Sequence, residues 1–138
     1  SIAQSGITTS IDSAYISFPN RPRFLASVNV GGGNQTSNVN STNTDVQFSL
    51  EYFDVGNNFN TTTYTFTAPY SGLYQFGCNV LLTAGTSMTQ FLLIYISSNA
   101  TYNAYRICQY NGTLGGNQFT AGGPPIIMAL SASETVKV

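Results

Sequence analysis

Five carboxylates, four cationic side chains and two thiols carry nearly all the ionisable chemistry of this 138-residue chain, which has no histidine. The commonest general base and metal ligand is therefore missing. The carboxylates are Asp12, Asp45, Glu51, Asp54 and Glu134. Glu51 and Asp54 are close in sequence but differ in parity, so on a strand they face opposite ways. A glycosidase needs two carboxylates facing one cleft, and these two do not supply it. Cys78 and Cys108 share no metal-ligand spacing and form no disulfide framework. Cys78 falls on the apolar parity of its strand and reads as a buried thiol, with a single Cys78–Cys108 disulfide as the alternative. The glycines at 31–33 are followed by neither lysine nor a helix, so they do not make a phosphate cradle. These residues point away from an enzyme and imply no cofactor. A minor calcium site at a loop, built from Asn side chains and backbone carbonyls, stays open.

Charged residues make up 7% of the chain, against roughly 25% in an average domain. The net charge of −1 leaves no electrostatic footprint for nucleic acid or an anionic membrane. No apolar run reaches the roughly 20 residues of a membrane helix, and residues 1–20 lack the basic start and apolar core of a secretory signal. Sparse charge lets surfaces approach at low desolvation cost, which suits an assembly on an extracellular or virion surface. Sequons at Asn34, Asn40, Asn60, Asn99 and Asn111 all fall in expected loops. They matter for glycosylation in a eukaryotic secretory pathway alone.

The elements that would position these residues are strands. No apolar repeat of helical period persists, while nine Tyr, nine Phe and many Val, Ile and Thr recur in short alternating runs. Gly, Asn, Ser and Pro clusters separate the runs, as in an all-β sandwich or barrel. Residues 1–20 read as a linker or stalk junction with a first strand, and 21–138 as one domain. Strands are expected over Val46 to Val55, Tyr64 to Thr67 and Leu73 to Leu82. A hairpin of Thr89 to Ser97 with Thr101 to Tyr110 follows, then a strand from Ile126 and a strand start at the C-terminus. Gly31 to Asp45 and Asn111 to Pro125 read as long loops. In the stretch from Leu73 to Leu81, Tyr74, Phe76, Cys78 and Val80 share the apolar parity. Leu73, Gln75, Gly77, Asn79 and Leu81 form the other row, which carries no charge.

The spacing of Phe48, Asp54, Phe59, Phe66, Gly72, Tyr74 and Phe76 resembles the signature of the complement component 1q head domain, a branch of the tumour necrosis factor-like jelly rolls. Cys78 stands where the pattern ends on an aromatic. The flanks agree: "RPRFLASV" resembles the family's first strand, "FLLIYISSN" its Leu-rich strand, and "IIMALSASETVKV" a strand, a Gly-Asp turn and a further strand, with Ser133 and Glu134 replacing Gly and Asp. The resemblance covers roughly Arg21 to Val138. It implies an all-β jelly-roll sandwich of two antiparallel sheets, assembled as a compact trimer. Leu73, Gln75, Gly77, Asn79 and Leu81 would then line the subunit contact. It further implies a closing strand beyond Val138, and the first residue is not Met, so the chain reads as a piece of a longer protein.

The reading that follows is a non-enzymatic trimeric head of a virion fibre or spike. Its partners would be the stalk, other virion proteins, and a host surface receptor or glycan. The candidate receptor residues are Asn34, Gln35, Asn40 and Asn117 on the long loops, with Tyr102 and Tyr105 nearby. A structural trimerisation or capsid-decorating module and a secreted complement component 1q-like ligand-binding protein are the alternatives.

Overall fold

The computed structural model describes residues 10–11, 16–17, 20–28, 45–83, 88–96, 104–112 and 118–138. Among these there is no helix, and every strand pairing is antiparallel. The strands are β1 (Ser10–Ile11), β2 (Ile16–Ser17), β3 (Arg23–Ser27), β4 (Leu50–Val55), β5 (Phe59–Asn60), β6 (Thr65–Thr67), β7 (Gly72–Phe76), β8 (Asn79–Thr83), β9 (Met88–Ile96), β10 (Ala104–Gly112), β11 (Gln118–Gly122), β12 (Ile126–Leu130) and β13 (Thr135–Lys137).

From β6 onward the pairing is nested. β9 pairs with β10, β8 with β11, β7 with β12 and β6 with β13. The strands β6 to β13 thus pair as the rungs of one long antiparallel hairpin. It folds on itself, because β13 also pairs with β9 at Val136↔Ile96 and Lys137↔Tyr95. The result is a five-stranded sheet in the order β10-β9-β13-β6-β5, with β12·β7, β11·β8, β3·β4 and β1·β2 as two-stranded ladders.

At one corner both arms of the hairpin leave the large sheet together. The turn between β6 and β7 and the turn between β12 and β13 are laced side by side. The Ala68 amide donates to the Glu134 carbonyl (2.9 Å), the Ser133 amide to the Ala68 carbonyl (2.7 Å), and the Ala132 amide to Ser71 Oγ (3.0 Å). Ser133 holds a left-handed φ of 71° here, a conformation that glycine adopts at lower cost. Glu134 completes the turn by accepting the Ser131 amide on Oε2 at 2.8 Å.

The core lies between the five-stranded sheet and the β7·β12 ladder. Phe66 of β6 sits at its centre, 3% exposed, with Phe76 edge-on at 5.4 Å, Tyr74 at 5.6 Å and Phe24 stacked at 5.3 Å between ring centroids. Phe24 also stacks on Phe59 at 4.6 Å. Ile94, Met128, Leu130 and Val136 fill the remainder.

Three expected elements differ from what forms. The single strand from Leu73 to Leu82 is two strands, β7 and β8, interrupted at Gly77 and Cys78. The partner strand explains the break. Pro125 lies against Gly77 (a Cβ there would be 3.7 Å from its Cγ), and proline has no N–H to continue the ladder. The expected loop from Asn111 to Pro125 is also corrected. Asn111 and Gly112 end β10, and Gln118–Gly122 forms β11 against β8. The strand expected from Val46 begins at Leu50: the Val46 amide donates to the Val138 carbonyl, and the Phe48 and Ser49 amides turn back to the Val46 and Gln47 carbonyls.

Candidate functional site

The residues of the aromatic signature build the scaffold. Phe59, Phe66 and Phe76 are buried, and Phe48 and Tyr74 are half-buried against them. The Tyr74 hydroxyl donates to the Tyr70 carbonyl at 2.7 Å, which ties β7 to the turn before it. Gly72 is exposed. Asp54 closes the link between β4 and β5. Its Oδ2 accepts the Phe59 amide at 2.7 Å across a turn in which Gly56 has φ 98° and Asn57 φ 56°. Its Oδ1 is buried with no hydrogen-bond partner. Glu51 is exposed on β4 and Asp54 is half-buried, but the parity expectation for them is corrected. The register irregularity at Tyr52 falls between the two and resets the alternation, so that Glu51 stands opposite Ala26 and Asp54 opposite Phe24, two residues of one face of β3. Among the described residues no three His, Cys, Asp or Glu side chains group as metal ligands would.

The row Leu73, Gln75, Gly77, Asn79, Leu81 is exposed throughout, and Phe76 and Cys78 of the other row are buried. Cys78 is a buried thiol. Parity survives the break at Gly77, so β7 and β8 present one continuous outward row. Pairing adds residues that spacing within one strand could not reveal. Ile127 stands opposite Gln75, and Ala129 opposite Leu73. The alternation of "IIMAL", with Met128 and Leu130 buried and Ile127 and Ala129 exposed, carried the signal. Leu73 is 76% exposed, Ile127 63% and Leu81 61%. Leu73 and Ile127 are diagonal neighbours across the β7·β12 ladder, and Leu81 lies farther along the row on β8. A second exposed group lies on β3·β4, where Leu25 opposes Phe53 and Tyr52 occupies an irregularity in the register.

Gly77 is not required by the subunit itself. A Cβ there meets Pro125 at ordinary contact distance. Gly122 is different. A Cβ there would collide with the Asn79 side-chain oxygen and lie 2.9 Å from the Cys78 carbonyl. Close backbone approach along this face therefore belongs to Gly122, not Gly77.

Of the expected receptor residues, Tyr105 is described. It lies within β10, 44% exposed and paired with Ile94, inside the strand expected over Thr101 to Tyr110. Asn34, Gln35, Asn40, Tyr102 and Asn117 lie outside the described residues. Two sequons depart from the expected loop placement. Asn60 ends β5, its Oδ1 accepting the amides of Thr62 (2.8 Å) and Thr63 (3.0 Å), and Asn111 lies in β10 opposite Thr89.

One ionic pin holds residue 45 to the large sheet. Asp45 Oδ2 accepts from Lys137 Nζ at 2.7 Å and Oδ1 from the Tyr95 hydroxyl at 2.6 Å. Burial pushes the Asp45 carboxyl up, but the bonds from Lys137 and Tyr95 and the Lys137 charge together outweigh it. The pKa is held below the ordinary carboxylate value.

No helix among the described residues is long and apolar enough to cross a membrane. No family model, curated protein or solved structure matches the chain.

Proposed function

We propose that this chain is the non-enzymatic head domain of a trimeric fibre or spike on a virion or extracellular surface, and that it attaches to a host surface receptor or glycan. The observation that carries this reading is the uncharged outward face of β7, β8 and β12. Covering a Leu or Ile side chain contributes about 1.5–3 kcal/mol, and this face offers Leu73, Leu81 and Ile127 with no ion to desolvate. Gln75 and Asn79 supply hydrogen bonds across a symmetry axis without placing like charges together. The nested hairpin, folded so that β9 returns beside β13, is the strand order that winding a hairpin into a jelly roll produces, and the reading takes the fold to be one.

Attachment by three linked heads gains avidity of about 10²–10⁴ over one head. The test compares host-surface attachment of the native chain with that of Leu73→Lys/Ile127→Lys, which puts cations on the face. The expected result is a loss of at least about a hundredfold for the variant with its β-sheet circular dichroism unchanged. Equal attachment by native chain and folded variant contradicts the proposal.

A further inference from the structure

Beside β5, at the edge of the five-stranded sheet, lies an open cleft of about 490 Å³. Its walls are Glu51, Asn57, Asn58, Asn60, Thr61 and Thr67, with Phe59 behind them. None of these residues belongs to the uncharged face of β7, β8 and β12. Their polar atoms are partly committed to the fold and partly unspent. Asn58 Nδ2 donates to the Val55 carbonyl at 3.3 Å, which leaves its Oδ1 as an acceptor. Asn60 Oδ1 accepts two backbone amides, which leaves both Nδ2 hydrogens as donors. Those two bonds also fix the tautomer-like choice of which end of the amide faces out. Glu51 adds an exposed carboxylate, and the Thr61 and Thr67 hydroxyls can each give or accept.

The wall thus offers both donors and acceptors and holds no cation. We infer that this cleft binds a neutral saccharide. The inference rests on the attachment reading above and gives it a ligand class. A polyhydroxylated ring can answer donors and acceptors at once, because every hydroxyl does both. An acidic sugar would meet the Glu51 carboxylate with no cation in the wall to balance it. A peptide anchor finds no apolar pocket, since Phe59 is 8% exposed and one of its ring faces lies on Phe24. Calcium takes six to eight oxygens, usually several of them acidic, and the wall holds one carboxylate. Hydrogen bonds exchanged against water contribute little net each. A single cleft therefore holds a sugar at a Kd of about 1 mM, and a multivalent head supplies the remainder.

The experiment titrates the isotope-labelled chain with the methyl glycosides of glucose, galactose and mannose, and separately with methyl sialoside. It reads the side-chain amide signals of Asn57, Asn58 and Asn60 and the backbone amides of Thr61 and Thr67 by NMR. At least one neutral glycoside is expected to shift these signals saturably, the sialoside is not, and EDTA is expected to change nothing. Glu51→Lys and Thr67→Val, both exposed positions, are each expected to weaken binding about tenfold with the rest of the spectrum intact. No saturable shift with any neutral glycoside overturns the inference. So do shifts confined to other residues, preference for the sialoside, loss with EDTA, or full affinity in both variants. A monomer mass measured on the same sample, alongside saturable shifts, would remove the trimer reading and leave the cleft standing.

Discussion

Asp54 shows how one side chain can be read twice. Sequence marks it as a member of a spaced aromatic signature; the fold shows why a carboxylate stands there. Oδ2 receives the Phe59 amide and fixes the left-handed turn through Gly56 and Asn57, while Oδ1 is buried without a partner. Asp54→Ala leaves the Phe59 amide unsatisfied and is expected to cost about 1–3 kcal/mol in urea unfolding. Asp54→Asn keeps an acceptor and should cost less. Asp45 is the residue where pH enters. Its folded pKa lies below its unfolded value near 3.8, so its contribution is present above that value and is lost as pH falls through the folded pKa. The pair with Lys137 is part-exposed (side chains 22% and 36%). Solvent screening therefore limits its contribution to about 1 kcal/mol. Asp45→Asn should lower stability by about that amount at neutral pH, and the gap to the native chain should close below pH 3.8. A gap unchanged between neutral and acid pH would show that the ion pair is not its source.

The strands show which signals are local. Side-chain parity along Leu73 to Leu81 was legible because it depends on backbone geometry alone. The interruption at Gly77 was not, because its cause is Pro125, brought alongside by pairing. β11 was missed for a related reason. "QFTAG" is bounded by glycines on both sides, and its strand character comes from lying against β8 rather than from propensity. The hairpin of β9 and β10 and the strand β12 were legible from their length and alternation. The candidate site divides the same way. The outward row was legible, but Ile127 and Ala129 join it through register, and the cleft beside β5 gathers residues from three strands. Glycine need separates Gly77 from Gly122. Gly77→Ala should be neutral in thermal unfolding, whereas Gly122→Ala should cost about 1–3 kcal/mol by overpacking against Asn79 and the Cys78 carbonyl. Equal costs at the two positions would show that the close approach at Gly122 is not what holds β8 and β11 together.

At the scale of the molecule, a core centred on Phe66 is buried while Leu73, Leu81 and Ile127 stand in solvent. The β7·β12 ladder buries Phe76, Met128 and Leu130 on its core side and turns Leu73 and Ile127 outward on the other, the side we propose for association. Sparse charge, 7% of the chain, keeps the desolvation cost of covering that surface low. The attachment we propose should therefore be nearly independent of ionic strength, since few charges are available to screen; a steep fall of attachment with added salt would mean that ion pairs carry recognition. The central claim is that three copies close through this face. Multi-angle light scattering of the native chain at micromolar concentration tests it most directly. The account predicts three times the 14.8 kDa subunit mass, falling to one subunit in Gly77→Arg, whose three cations would crowd one axis. A native chain at the mass of one subunit would contradict it.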